Sequence, residues 1–302
     1  MSGIITTSAF GKLLWPGINA IYGKAYSEYP QECLDLFETY KTNRAFEEDL
    51  GISSLGLAKV KEEAAPVQYE GERQGFITRY TPVEYALGFI ITEIMMEDDL
   101  YQMVGARRSK ALAFSMRQTK EIVAANVYNR AFNSTYVGGD GVEMISSAHV
   151  NVAGGTWSNI QSADFSELAL EQACIDIAKF KDDKGLTIHV MPESLHIPVD
   201  TVFEAERILK SNQRVGTADN DINALNSMGK FSKGAMVNHY FTDTDAWFIR
   251  TNCPDGMKHF ERRADYFKMD EDFDTSNAKY KSAGRYVFGW TDPRGIYGSA
   301  GV

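Results

Sequence analysis

The sequence predicts an α+β fold in which an N-terminal arm and a projecting β-hairpin precede one long helix. Three observations support this. Apolar residues recur at helical spacing over an unusually long stretch after residue 98, two extended charged runs come before it, and helical and alternating segments mix in the second half. With 302 residues, 44% of them hydrophobic and 24% charged, the chain has the composition of a packed protein.

The first 95 residues contain little that could form a core of its own. Residues 1–50 mix short apolar pieces with turn formers, which is typical of an arm, and predict one helix near Gln31 to Tyr40. From Leu55 to Thr92, two extended runs flank a break at Glu70-Gly71-Glu72 and predict a long hairpin. Because such a hairpin cannot bury itself, we expect it to lie on another subunit.

The next segment is the strongest helical pattern in the chain. From Asp99 to Asn133 an apolar stripe runs at helical spacing, with Asp98 or Asp99 as the expected cap. The predicted helix is about 52 Å long at 1.5 Å per residue, which is long for one compact domain. Its apolar stripe comprises Leu100, Met103, Val104, Leu112, Met116, Thr119, Ile122, Val123, Val127 and Ala131.

The second half predicts alternating helices and strands. Asp164 and Glu167 have the spacing of a capping box before a helix that we expect to leave through Gly185. Leu186, Ile188 and Val190 alternate as a half-buried strand, and residues 200–212 return to helix.

The last third predicts four strands. Residues 235–251 are predicted to form a hairpin that turns at Thr242 to Asp245. Residues 256–270 and 278–290 both contain several aromatic side chains and predict two more strands.

The glycine-rich stretch Ser134 to Asn159 is the segment that most resembles a catalytic or binding loop. It contains no lysine and follows a helix, so it is not a phosphate-binding loop, and Asp140 with Glu143 supplies too few oxygens for a calcium loop. We interpret its glycine pairs, Gly138-Gly139 and Gly154-Gly155, as positions where the chain reverses with φ values open only to glycine.

Other chemistry has little local support. The formal charge of −10 opposes general nucleic-acid binding, and neither a signal peptide nor a membrane segment is evident. The three cysteines are far apart and are expected to be reduced thiols, and the five histidines lie outside any metal-binding spacing. We therefore predict a soluble chain made in a cytoplasm that is not an enzyme and holds no cofactor or metal.

The order of these segments resembles the major capsid (head) protein of tailed bacteriophages, with the Hong Kong 97 fold, and is similar to Mu-like phage head subunits. The segments that carry the resemblance are residues 95–121, 129–159, 186–212, 219–231 and 284–299. The likeness covers most of the chain from about Leu55 onward.

This resemblance implies a division of the chain. Residues 1–50 would be the N-terminal arm, 51–95 the extended loop and 96–160 the peripheral domain with its spine helix. Residues 161–249 would form the axial domain, 250–285 the peripheral-domain strands and 286–302 the C-terminal segment.

The resemblance also implies a structural role. The subunits would assemble as hexamers and pentamers into an icosahedral or prolate shell around phage DNA, in the bacterial cytoplasm, to become part of the virion. Its implied partners are a separate scaffolding protein, because no charged helical propeptide precedes the arm, together with a portal and a decoration protein. The acidic balance predicts an inner wall that repels packaged DNA.

Charged residues are predicted to meet acidic or basic patches on adjacent copies. They lie in the extended loop, the long helix and the late strands: Lys59, Lys61, Glu70, Glu72, Arg73, Arg107, Arg108, Arg262, Arg263, Asp270, Glu271 and Asp272. Some members of the family join subunits through a lysine–asparagine isopeptide bond assisted by a glutamate. Lys59 and Lys61 lie in the loop, but no asparagine or glutamate can be matched, so no catalytic residue is carried over.

Two alternatives remain from the sequence. An encapsulin-like shell that encloses cargo enzymes would share the fold. A soluble metal-dependent transferase built around Asp243 and Asp245 would belong to another class, although aspartate is also a common turn former.

Overall fold

The computed structural model describes residues 11–52, 54–64, 66–71, 73–98, 101–214, 221–272 and 276–302. Helices α1 to α7 span Gly11–Glu28, Cys33–Leu36, Glu93–Glu97, Tyr101–Asn129, Glu167–Ala178, Val202–Lys210 and Ala224–Met228. Strands β1 to β12 span Glu38–Lys41, Glu47–Ile52, Gln74–Tyr80, Val83–Ile91, His149–Val150, Thr156–Trp157, Pro192–Pro198, Ala235–Asn238, Trp247–Thr251, Met257–Glu271, Ala278–Trp290 and Ile296–Ser299. The predicted mixture of helices and strands is confirmed.

The long helix predicted from the apolar stripe is present as α4. It has 29 residues and is therefore about 43 Å long. Asp99, one of the expected caps, lies outside the described residues. The helix ends at Asn129, earlier than predicted, because the backbone then tightens into a turn in which Ala131 N donates to Tyr128 O at 2.9 Å. The Asn129 side chain donates to Tyr240 O (3.1 Å) and accepts from Thr242 N (3.1 Å) of a distant loop. Ile122, expected in the buried stripe, is 41% exposed, so that part of the stripe was assigned wrongly.

The arm contains an 18-residue helix, α1, that the sequence did not predict. Pro16 and several glycines lie within it and weaken the intrinsic helical preference. Ile18, Tyr22 and Ala25 are nonetheless buried against α4 and the β10–β11 sheet. Tertiary packing therefore decides this helix. The helix expected near Gln31 to Tyr40 is reduced to the four residues of α2, and β1 follows it directly.

A four-stranded sheet with the order β1-β10-β11-β4 carries the two long late strands. Both late segments form strands, as predicted. Strands β10 and β11 pair antiparallel, and β4 pairs with β11 along its whole length. The predicted hairpin before the long helix is wrong in its pairing, since β3 pairs with β2 and β4 joins the sheet instead. Between β2 and β3, the described residues of 54–71 contain no strand.

A second four-stranded sheet has the order β12-β9-β7-β8. The hairpin predicted over residues 235–251 is wrong, because β7 lies between β8 and β9 and pairs with both. The strand predicted at Leu186 to Val190 begins later, at Pro192, and its last five residues, from Ser194 onward, are all buried. The predicted helix over residues 200–212 is confirmed as α6.

Two helix boundaries differ from the predicted ones. Ser166, rather than Asp164, caps α5, with its side chain accepting from Ala169 N at 3.2 Å. The helix ends at Ala178, so Gly185 is not its exit residue. Gly185 has a φ of +82° within the tight turn between Lys181 and Thr187, where a left-handed conformation suits glycine.

Three clusters of buried side chains fill the molecule. One lies between α5, α6 and the β12-β9-β7-β8 sheet, and the other two lie along α4. The N-terminal half of α4 packs with α1, while its C-terminal half packs with α2 and strands β10 and β11. Helix α4 is long because its two halves contribute side chains to two separate buried clusters. Within the part of the chain that the structure describes, none of the helices is both long and apolar enough to span a bilayer.

Candidate assembly surface

The ribbon formed by β2 and β3 leaves the body of the molecule at an ion pair. Lys258 Nζ lies 2.6 Å from Asp49 Oδ2 and 2.6 Å from Asp255 Oδ1. Burial opposes the charge on Lys258, but the hydrogen bonds to Asp255 and Asp49 outweigh it and raise the pKa of the amine. The amine therefore stays charged and holds the base of the ribbon on β10.

Two hydroxyl groups extend this anchor. Thr291 Oγ1 donates to Asp49 Oδ2 at 2.8 Å, and Tyr80 OH lies 2.6 Å from the same Thr291 Oγ1. Both strands of the ribbon, through Asp49 and Tyr80, are thus tied to the residue that follows β11. No local pattern marks these residues in the sequence, because Asp49 and Lys258 are separated by 209 positions.

Directly beyond the anchor, the two strands of the ribbon approach each other through glycines. A Cβ on Gly75 would lie 2.6 Å from the carbonyl oxygen of Gly51, so no larger residue fits there. The strand register also shifts between Leu50 and Ile52. The ribbon is therefore narrow, and it carries no side chains at the point where it leaves the anchor.

The segment between the strands exposes an unusual amount of apolar surface. It comprises the described residues of 54–73, the outer part of the loop predicted over 51–95, and only this part is called the extended loop from here on. Its large apolar side chains are between 55% and 97% exposed: Leu55, Leu57, Val60, Val67 and Tyr69. Single exposed apolar residues are common on protein surfaces, whereas a group of five in one projecting segment is typical of an interaction surface.

One glutamate of the extended loop contacts the body of the molecule. Glu70 Oε1 lies 2.6 Å from Lys184 Nζ, and Glu70 Oε2 accepts from Gly56 N at 2.6 Å. The hydrogen bond from Lys184 and then that from Gly56 lower the pKa of the Glu70 carboxyl. Glu70 thus closes the loop on itself and joins it to the turn at residues 181–187.

The other loop residues predicted to lie at an interface are placed as follows. Lys59, Lys61 and Arg73 are exposed. Glu72 lies outside the described residues. Arg107 and Arg108 are exposed in the first half of α4. These positions are compatible with contacts to another subunit, and their role there stays a prediction.

The predicted interface residues on the β10–β11 hairpin already have partners within the chain. Arg263 pairs with Glu84 of β4 at 2.5 Å, and Arg262 donates to the carbonyl oxygen of Arg44 at 2.5 Å. At the far end of the hairpin Asp272 pairs with Lys279 at 2.5 Å. Asp270 and Glu271 are exposed beside this pair.

The glycine-rich stretch is organised around a buried histidine. Both ring nitrogens of His149 have partners, Asp140 Oδ2 at 2.6 Å and Asn159 Oδ1 at 3.1 Å. Asn159 Nδ2 in turn donates to three backbone carbonyls, those of Met144, Pro293 and Ile296, each within 3.1 Å. This network fastens the stretch to the C-terminal segment, so its polar residues are structural.

The glycines of this stretch have two different roles. Gly154 and Gly155 have φ values of +103° and +91°, as predicted for a chain reversal. Gly138 and Gly139 do not, so the prediction of special φ values there was wrong. Their Cβ atoms would instead lie 2.8 Å from Trp290 Nε1 and from Thr78 Oγ1, so close packing excludes a side chain.

The acidic pair considered for a transferase forms a turn. Asp245 N donates to Asp243 Oδ1 at 3.1 Å, and both residues are exposed. Over the described ranges of the chain, the structure contains no group of three histidine, cysteine or acidic side chains placed to hold a metal ion.

Comparison with solved structures shows what this fold is similar to. The bacteriophage PhiM1 mature capsid subunit has a TM-score of 0.56 with 8% identity, covering 91% of this chain and 88% of that one. The capsid of a native GTA particle has a TM-score of 0.53 with 14% identity, covering 89% of each chain. A virus-like particle from Pyrococcus furiosus has a TM-score of 0.53 with 8% identity, covering 93% and 97%. These likenesses confirm the Hong Kong 97-like fold.

A sequence profile described as "Phage capsid protein" matches residues 76–299, well over half of the chain, and this match makes the chain a structural subunit of a shell. The chain belongs to the phage capsid protein family, and it is a major capsid protein of a phage-like shell and a component of the virion. Among curated protein sequences, none matches it.

Family membership also settles two further predictions. The family is structural, which confirms that the chain is not an enzyme and rules against the transferase built on Asp243 and Asp245. Capsid proteins act as assemblies of identical subunits, so the predicted homo-oligomer is confirmed in that general form.

Proposed function

We propose that this chain is the head subunit of a tailed, Mu-like phage and assembles as hexamers and pentamers into an icosahedral or prolate shell around genomic DNA. The exposed apolar side chains of the extended loop carry the proposal. Burying them takes a second copy, because the loop has too few apolar residues to form a core by itself. In this arrangement the loop lies over a neighbouring subunit, and the arm, peripheral, axial and C-terminal parts follow the divisions predicted from the sequence.

The charge supports the enclosure of DNA. With a formal charge of −10, the subunit does not grip a phosphate backbone in general, so packaged DNA can slide past the inner wall. Assembly then takes place in the bacterial cytoplasm with a separate scaffolding protein and a portal, and a decoration protein adds to the outer surface.

An encapsulin-like compartment is the second candidate function. The similarity to a virus-like particle from Pyrococcus furiosus, which covers 97% of that chain, favours it. Electron microscopy and size-exclusion chromatography of the purified chain test the shell, and sequencing of nucleic acid extracted from nuclease-treated particles tests its content. Phage DNA supports the proposal, whereas enclosed protein without DNA favours the compartment.

A further inference from the structure

Through the contact between Glu70 and Lys184, the extended loop rests on the turn at residues 181–187 of its own subunit, and we call this turn the seat of the loop. Its geometry is specific, since one carboxylate oxygen takes the Lys184 ammonium and the other takes the Gly56 amide, each at 2.6 Å. The seat itself is well ordered by its own hydrogen bonds, because Asp182 Oδ1 accepts from Lys184 N at 2.9 Å and from Leu186 N at 2.8 Å. A defined receptor turn therefore meets a single acidic residue of the loop.

This seat leaves the apolar side chains of the loop uncovered. Tyr69, next to Glu70, is 95% exposed, and Val60 is 97% exposed. The stable position of the loop would bury them, because removing large apolar side chains from water is favourable. The contact between Glu70 and Lys184 is therefore an ion pair alone. It lacks the buried apolar surface that a permanent interface has.

The ribbon has a place where it can pivot. Gly51 and Gly75 face each other without side chains immediately outside the Asp49–Lys258 anchor. Hinges are short segments that absorb changes of backbone angle, and small residues are frequent in them. The base of the ribbon is held, while the part that carries Glu70 is joined to the body through Lys184.

We propose that the Glu70–Lys184 pair is a latch that holds the extended loop on its own subunit before assembly and is re-formed between two copies in the shell. This rests on the proposed function. The receptor turn at residues 181–187 is then an interaction surface for the loop of a second copy. The ion pair is the same before and after the exchange. The exchange adds the burial of Leu57, Val60 and Tyr69, and this burial favours the assembled state.

Carbodiimide cross-linking tests the latch, because it joins a carboxylate and an amine that are in direct contact. Free subunits, half of them ¹⁵N-labelled, are cross-linked before and after assembly, and the Glu70–Lys184 peptides are identified by mass spectrometry. We expect only uniformly labelled or unlabelled pairs in free subunits. In particles, about half of the pairs should join a labelled to an unlabelled peptide, as random mixing of identical copies requires.

Variants separate the latch from general effects of charge. Glu70→Gln keeps an acceptor for the Gly56 amide and should increase the rate of tryptic cleavage at Lys59 and Lys61 in the free subunit about two- to fivefold. Lys184→Gln should have the same effect, because it removes the other partner of the ion pair. Glu63→Gln, an exposed carboxylate of the same loop, is the matched control and should leave cleavage unchanged.

The possible failures are distinguishable. Free subunits without the cross-link would overturn the latch, and particles whose cross-links all stay within single copies would overturn the exchange. A chain that forms no particle at all would instead overturn the proposed shell, while the free subunit still reports on the latch.

Discussion

Lys258 and Asp49, 209 residues apart in the chain, meet with Nζ and Oδ2 separated by 2.6 Å. This pair joins the base of the ribbon that carries the extended loop to β10, the longest strand of the β1-β10-β11-β4 sheet. The Lys258 side chain is only 7% exposed, so the pair is largely shielded from solvent. The position of the loop therefore depends on a contact that forms only when the body is folded.

Replacing Asp49 with alanine should loosen the ribbon. The change leaves Lys258 and Thr291 without their shared acceptor and should lower the free energy of unfolding by about 1 to 3 kcal/mol. Hydrogen exchange should become faster at residues 47–52 and 74–80. Glu48→Ala removes an exposed pair with Arg79 and should change stability by less than about 1 kcal/mol. Equal effects of the two variants would contradict the anchor.

Serine at Leu57 and Val60 should impair assembly without unfolding the subunit. Both side chains are exposed, 77% and 97%, so the melting temperature of the free subunit should hardly change. Loss of apolar contact with a second copy should raise the concentration needed for assembly about tenfold or more. Ile175→Ser, at an exposed apolar residue of α5, should have a smaller effect in light-scattering assays of assembly. Normal assembly of the loop variant would refute the proposed role of the loop.

Asn159→Ala should be among the most destabilising changes. The side chain is buried and bonds three carbonyls, one backbone amide and His149. Its loss leaves these groups unpaired, which should cost about 3 kcal/mol or more in urea denaturation. Asn133→Ala, at an exposed position whose side chain accepts from Thr135 N, should stay within about 1 kcal/mol of the wild type.

Alanine substitutions at Gly284 and at Gly23 should change the stability of the subunit in opposite directions. A Cβ on Gly284 would collide with the carboxylate of Asp265, so Gly284→Ala should displace Asp265 from Tyr26 and destabilise the subunit by about 2 kcal/mol. Gly23 lies within α1 with open space around it, so Gly23→Ala should stabilise by about 0.5 to 1 kcal/mol. Thermal denaturation of both variants measures the difference.

His259 should make the subunit less stable in acid. Burial, with a smaller effect of nearby Lys120, lowers the pKa of its imidazole from 6.5 to about 3. Because the unfolded chain binds a proton that the folded chain does not, stability is complete above the unfolded pKa. It falls by about 1.4 kcal/mol for each pH unit below that value, until the folded pKa is reached.

His259→Phe should reduce this slope, and the ring stacking on Phe288, at 4.3 Å between centroids, accommodates phenylalanine. Urea denaturation between about pH 4 and 6 measures the slope. His189→Asn, at an exposed imidazole, should leave it unchanged. An unchanged slope in the His259 variant would show that other groups cause the acid sensitivity.

Local sequence patterns were sufficient to predict the helices and strands whose secondary structure does not depend on which other elements they pack against. The long helix α4, the late strands β10 and β11, and helix α6 were predicted from local sequence alone. Helix α1 was missed because Pro16 and its glycines obscure the pattern. The helical spacing of the apolar residues Ile18, Tyr22 and Ala25, at i, i+4 and i+7, is the sequence signal that could have predicted it.

The candidate assembly surface could be predicted only in outline. An extended charged segment without a core indicated a loop that covers something else, and its exposed apolar residues agree with that. The anchor at Asp49 and Lys258 and the seat at Lys184 carry no local signature, since each joins residues far apart in the chain.

Spacing along the chain was sufficient to predict the long helix, the late strands, the mixed fold class and an extended segment unable to bury itself. The position of β7 between β8 and β9, the helical form of α1 and the contact of Glu70 with Lys184 depend instead on how the whole chain packs. Strand partners and ion pairs are chosen among many distant alternatives of similar local preference, and the packing of the whole molecule makes that choice.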